Sequence, residues 1–310
     1  MSIDVSVVVP TFRSPATLPK LAERIASSPW FTDGSELIVV DDGNTDDTWR
    51  VIQGLAAKNR HVRGVRLGRN FGQHAALLAG VRKAKNHVVV TLDDDLQNPP
   101  EEVPKMLAAL TLDVDLVYGL PERRRQSPWR NFTSAGSKWV MRYALGFLRA
   151  TDISSFRAFR TRLRDSFDGD LGPGVSIDAL LNWSTTRFSS VEVKHDERQQ
   201  GRSNYSFSKL LRFMLDTATG YSTVPLRFAT GLGLITVTLS ILILGWVLWR
   251  PLTSGESVPG FPFLATTIAI FSGVQLIVLG VLGQYIGRMH FRVMAKPTYT
   301  VAESTGELDQ

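Results

Sequence analysis

The sequence predicts an α/β sheet domain followed by two transmembrane helices. Three observations lead there. Short Val- and Ile-rich runs alternate with segments of helical periodicity through the first half of the chain. From Phe228 to Trp249, 22 consecutive residues carry no charge, and a second uncharged run extends from Val258 to Gly287. Each run exceeds the roughly 20 residues that cross a bilayer; the competing reading is a pair of helices buried in a soluble core.

The elements follow in order. Val5 to Val9 reads as the first strand, ended by Pro10, and with no basic segment before it this start is a strand rather than a signal peptide. Leu18, Leu21, Ala22 and Ile25 repeat at helical spacing. Leu37 to Val40 is the next strand, Thr48 to Leu55 a short helix, Val62 to Leu67 a strand and His74 to Val81 a helix. Val88 to Leu92 is a strand that runs into three aspartates. Pro99 and Pro100 fit a helix start, with Glu101 and Glu102 in its first turn where the dipole favours acids, and Val103, Met106, Leu107 and Leu110 form its apolar face. A strand over Val114 to Tyr118 precedes a basic loop, Pro121 to Asn131. Helices are expected over Ser134 to Phe147 and Ile177 to Trp183, then a strand over Arg187 to His195 and a polar, Gly-containing loop over Asp196 to Tyr205. Phe207, Leu210, Leu211, Met214 and Leu215, interleaved with Lys209 and Arg212, predict an amphipathic helix at a membrane surface.

Charge placement sets the orientation. Arg227 precedes the first uncharged run, and Arg288, His290, Arg292 and Lys296 follow the second, while the connection from Arg250 to Pro262 holds one Arg and one Glu. That asymmetry places both ends in the cytosol. The expected organisation is a cytosolic catalytic domain over 1–205, an amphipathic juxtamembrane helix over 206–227 and spans over 228–249 and 263–286. A short external loop over 250–262 joins the spans, and a cytosolic tail covers 287–310. This is a multi-pass protein of the inner, cytoplasmic membrane, and its lack of cysteine agrees with a reducing compartment. The net charge of +6 suits an anionic membrane face or phosphorylated ligands, and four cations, Arg123, Arg124, Arg125 and Arg130, fall together in the basic loop. Nucleic acid is not an expected partner.

Two acidic clusters sit at the carboxyl ends of predicted strands: DDGNTDD, Asp41 to Asp47, and DDD, Asp93 to Asp95. In open α/β sheets ligands lie at those ends. No GxGxxG or GxxxxGK[ST] follows any strand, which argues against a dinucleotide dehydrogenase and a P-loop enzyme. Residues i and i+2 of a strand point the same way, so Asp93 and Asp95 are expected to converge while Asp94 faces elsewhere and tolerates replacement best. Two oxygen donors with open positions suit Mg²⁺ or Mn²⁺, whose shells are completed by phosphates and water.

The segments VVVPTF, VVDDGNTDDT, RNFGQHAALLAG, LDDDLQNPPEE and ERQQGRSNYS, in that order, resemble the successive motifs of family 2 glycosyltransferases. They are most similar to the polyprenyl-phosphate subgroup, which includes undecaprenyl-phosphate glucosyl and 4-deoxy-4-formamido-L-arabinose transferases and dolichyl-phosphate mannose synthases. The resemblance implies a GT-A fold and inverting, metal-dependent transfer of a sugar from a nucleotide-sugar to a membrane polyprenyl phosphate. The motif stretches look more like bacterial UDP-sugar users than GDP-sugar users. By the same resemblance Pro10, Phe12, Asp42 and Asp94 belong to the nucleotide pocket, with Asp42 at the base. Asp93, Asp95 and Gln97 would hold the metal and diphosphate, while Asp41, Asp46 and Asn70 to His74 would shape the pocket. Asp152 matches a family acid, and Ser155 stands where some relatives have a second one; Asp152 and Asp95 are the candidate catalytic residues. Arg123, Arg130 and Arg198 match phosphate-binding cations, with Ser134 or Ser137 nearby. Asn204 replaces a lysine common in relatives, and Arg202 is the candidate substitute. A homo-oligomer, a tetramer by analogy, is implied as well. Two other readings compete: a processive polysaccharide synthase, disfavoured because QSPWR reverses the end of the QxxRW motif, and a non-catalytic membrane sensor or scaffold for sugar nucleotides.

Overall fold

The computed structural model describes residues 3–122, 153–196, 223–254 and 260–306. Eight strands form one sheet: β1 (Val5–Thr11), β2 (Glu36–Asp41), β3 (Val62–Leu67), β4 (Val88–Thr91), β5 (Leu116–Pro121), β6 (Arg157–Arg160), β7 (Phe188–Val193) and β8 (Val301–Ser304). Their spatial order is β7-β5-β6-β4-β1-β2-β3-β8. β1 pairs in parallel with both β2 and β4, whereas β6 runs antiparallel between β4 and β5, and β8 antiparallel to β3. The chain therefore builds outward on one side through β2 and β3, then returns to the other side of β1 with β4. That reversal opens a crevice at the carboxyl ends of β1 and β4.

Helices cover both faces, so the central strands read as continuous Val/Ile runs rather than alternating ones. Val5, Val7, Val9, Leu37, Val39, Val88 and Val90 pack under α1 (Leu18–Ala26), α2 (Thr48–Lys58) and α4 (Val103–Ala109) through Leu21, Ile25, Ile52 and Met106. The alternate residues Val8, Ile38, Val40 and Val89 meet α3 (Gln73–Lys83) and α5 (Ile177–Ser184), which supply Ala76, Leu77, Ile177 and Leu181. Gly80 sets how closely α3 approaches: a Cβ there would lie 2.4 Å from Val8 Cγ1 and 2.9 Å from Val40 Cγ2. Gly80→Ala is expected to lower stability by about 1–3 kcal/mol through overpacking. Gly54→Ala, in open space on α2, is expected to be neutral or stabilising by up to about 1 kcal/mol. Circular dichroism melts of both variants in detergent check the contrast, and equal midpoints would overturn it.

The structure departs from the sequence reading in four places. β4 ends at Thr91, so the three aspartates lie beyond the strand. Pro99 and Pro100 lead into a single 3₁₀ turn, Pro100–Glu102, before α4 begins at Val103. β6 was not expected, because Arg157 interrupts its apolar run. Within the segment expected as a tail, Val301–Ser304 forms a strand that pairs with β3, and Thr305 exchanges backbone and side-chain hydrogen bonds with Gly64. Trp49 Nε1 and Arg66 both donate to Glu303, which fastens this strand further.

The two long helices belong to one compact unit, and the sheet with the described residues after 293 belongs to another. α6 (Val224–Ser254) and α7 (Gly260–Val293) contain apolar stretches over Val224–Val247 and Ile270–Val293, long enough to cross a membrane and with almost no buried residue. Both helices extend beyond the expected spans of 228–249 and 263–286. Apolar side chains exposed all round a helix are what lipid contact requires and a soluble surface disfavours.

Candidate functional site

The crevice between β1 and β4 holds a cavity of about 350 Å³ lined by Pro10, Thr11, Phe12, Asp42, Asn70, Gly72, Gln73, Asp93, Asp94 and Asp95. Each wall comes from a strand end or a helix start. Pro10 to Phe12 end β1, Asp42 follows β2, Asn70 to Gln73 lead into α3, and the three aspartates follow β4.

The β2 end is a tightly bonded floor. Asp42 is buried, and its two oxygens accept from Phe71 N at 2.7 Å and Gly72 N at 2.9 Å, which ties down the segment that enters α3. Asp41, fully buried, accepts from Asn44 N and Nδ2 through Oδ1 and has Arg66 Nε 3.6 Å from Oδ2. Burial pushes both carboxyls above the usual range. Asn44 also accepts from Arg13 N at 2.9 Å, and Arg13 sits at a positive φ of 58° with its guanidinium 5.1 Å from the centre of the half-exposed Phe12 ring. Asp46 is elsewhere: it accepts from Thr48 N and holds the start of α2.

Because β4 stops early, strand alternation does not govern the aspartates, and all three face the cavity. The expectation that Asp94 turns away is corrected: it accepts from Thr11 Oγ1 at 2.6 Å. Asp93 accepts from Gln73 Nε2 at 2.7 Å and from Ser155 Oγ. Asp95 Oδ1 accepts from the backbone N–H of Gln97 at 3.1 Å, across a turn in which Leu96 adopts a positive φ of 62°. Burial, then mutual charge, pushes Asp93 and Asp94 up. Gln97 does not line the cavity; its Oε1 lies 3.0 Å from His195 Nε2, and its carbonyl accepts from Asp196 N. His74 Nδ1 has no hydrogen-bond partner, and burial lowers the imidazole's pKa, which keeps it neutral.

Three crowded carboxylates, two of them held toward the neutral form, are a site that a divalent cation would relieve. Among the described residues no three His, Asp or Glu side chains enclose an ion unaided. A Mg²⁺ or Mn²⁺ ion would therefore share its shell with oxygens of a second molecule. No basic residue among the described ones lines the cavity. Asp152, Arg123, Arg130, Arg198 and Arg202 lie outside the described residues. Thr11, Gln73 and Ser155 were missed as partners of the aspartates; the neutral donors of distant segments leave no mark in the spacing of an acidic motif.

Residues 6–168 match the model of glycosyl transferase family 2. The undecaprenyl-phosphate 4-deoxy-4-formamido-L-arabinose transferase of Proteus mirabilis is 35% identical over 97% of this chain and 94% of its own length. The corresponding transferase of Aeromonas hydrophila is 36% identical over 96% and 92%. Among solved structures, glucosyl-3-phosphoglycerate synthase from Mycobacterium tuberculosis, in complex with Mn²⁺, UDP and glucosyl-3-phosphoglycerate, superposes with a TM-score of 0.52. It is 21% identical and covers 70% of this chain and 78% of that one, a likeness of fold.

Proposed function

Because the chain belongs to glycosyltransferase family 2, we propose that it transfers a sugar from a UDP-sugar to a membrane polyprenyl phosphate, with inversion at the anomeric carbon. The observation that carries this reading is the gathering of Phe12, Asp42 and Asp93 to Asp95 in one crevice at the switch point of the sheet. The full-length similarity to undecaprenyl-phosphate transferases and the two apolar helices support the lipid acceptor.

In this reading Pro10, Phe12 and Asp42 receive the nucleoside, and Asp94, fixed by Thr11, borders it. Asp93 and Asp95 would hold Mg²⁺ or Mn²⁺ against the diphosphate; a bound divalent cation supplies neutralisation of the charge that collects on the departing nucleotide. The bond from the anomeric carbon to the diphosphate breaks as one forms to an acceptor phosphate oxygen, and UDP leaves. The acceptor monoester has its second pKa near ~6, so it arrives as an oxyanion and needs little help from a base. Asp152 therefore orients the acceptor, and Arg123, Arg130, Arg198 and Arg202 hold two anions in one site. The protein sits in the inner membrane with its catalytic domain and both ends cytosolic, and works as a homo-oligomer.

Two expected outcomes test this. Purified protein with undecaprenyl phosphate and candidate donors releases UDP, EDTA abolishes release, and Mn²⁺ restores it; nucleotide binding without release from any donor would mark a sensor instead. Asp152→Asn lowers turnover at saturating substrates less than Asp95→Asn does, and raising the pH does not rescue it. An equally severe loss that higher pH repairs would make Asp152 a base.

A further inference from the structure

We infer that Ser155 is a positioning residue for Asp93, aimed by a buried support that the sheet builds behind the acidic site from Thr91, Arg157 and Asp178. The inference rests on the proposed metal and nucleotide role of the crevice.

The support follows from topology. β6 runs antiparallel to β4, with Arg157 opposite Thr91, so the residues that precede β6 arrive at the edge where β4 ends. Ser155 is thereby brought beside the aspartates, although 62 residues separate it from Asp93 along the chain. Its hydroxyl donates to Asp93 Oδ2. Its carbonyl is fixed by two donors: Thr91 Oγ1 at 2.6 Å and Arg157 Nε at 3.4 Å.

Arg157 is the feature that marks this as more than a strand end. It is 1% exposed, in a strand whose neighbours Phe156, Ala158 and Phe159 are all fully buried. Its guanidinium pairs with Asp178, the second residue of α5, where the helix dipole favours an acid. A guanidinium has no neutral alternative, so its burial requires partners on every accessible donor. The Ser155 carbonyl is one of them. Thr91 and the ion-paired Arg157 thus hold the backbone of the residue that holds Asp93, while Gln73 donates to the other oxygen of the same carboxylate. With a donor on each oxygen, Asp93 is placed in advance of a bound ion, the condition for a site built from few ligands to work.

Ser155→Ala removes only the hydroxyl and leaves the Arg157–Asp178 pair intact, and Ser155→Thr keeps the donor. The test uses the full-length protein in detergent, with Mn²⁺ uptake in the presence of UDP followed by the electron paramagnetic resonance of free Mn²⁺. Loss of one hydrogen bond to a charged group is expected to weaken Mn²⁺ binding about tenfold in Ser155→Ala. The thermal midpoint is expected to stay within about 3 °C of the parent, as a half-buried site without cavity collapse allows. Ser155→Thr should recover the affinity to within about twofold, and turnover at saturating donor should fall in Ser155→Ala while KM for the acceptor does not. Unchanged Mn²⁺ affinity in Ser155→Ala overturns the inference alone. Failure of the parent protein to take up Mn²⁺ with UDP overturns the reading of the crevice and the inference with it.

Discussion

Asp95→Asn is expected to reduce turnover at saturating substrates at least about 100-fold, the scale seen when one preorganised electrostatic contact to a transition state is lost. The three aspartates are not equivalent. Asp93 has a hydrogen bond on each oxygen, from Gln73 and Ser155, and Asp94 has a short one from Thr11. Among the described residues Asp95 accepts one hydrogen bond, on Oδ1 from the backbone N–H two residues on, and it lines the cavity. The amide keeps the shape and the backbone contact and removes the charge, so folding should be unaffected. UDP release and Mn²⁺ uptake by the same variant, measured beside a thermal melt, check this. A variant that keeps more than about a third of the parent's turnover would remove Asp95 from the metal site, since no substitution at a charged ligand of an essential ion is so mild.

The central strands and the helices that flank them were legible in the sequence because they obey one period each. Val5 to Val9, apart from the buried Ser6, and Leu37 to Val40 are apolar since both faces of the sheet are covered, and Leu18, Leu21, Ala22 and Ile25 mark the buried side of α1. The acidic motifs marked the strand ends around the crevice because unpaired charge gathers where the core stops. What failed was local. Placing Asp93 and Asp95 on a strand assumed that β4 continued past Thr91, whereas Leu96 at positive φ shows a turn already under way. β6 was hidden because a charged residue inside a buried strand looks like a loop until its partner, Asp178, is known. β8 was hidden because all but the last of its residues are exposed and its stability comes from backbone pairing with β3, which has no signature in side-chain hydrophobicity. The long apolar helices were the plainest feature, although their ends moved by several residues, because helical geometry outlasts the hydrophobic stretch that announces it.

Arg157→Met is expected to destabilise the sheet unit by about 3–5 kcal/mol, since removing one partner of a buried ion pair strands the other charge. Both side chains are withdrawn from water, with 2% and 15% exposure, so solvent screens the pair little. The double replacement Arg157→Met with Asp178→Leu should recover most of that loss, because a buried pair and an apolar pair of similar volume are close in free energy. Chemical unfolding of the three proteins in detergent measures the cycle, and additive losses in the double variant would mean the two residues act independently. Activity divides the outcome further. The ion pair and the hydrogen bond from Arg157 Nε to the Ser155 carbonyl are separate interactions of one side chain. A double variant that regains stability has repaired only the first. If it stays slow, Arg157 serves the site through Ser155; if it regains turnover as well, the charge was needed only to fill the interior.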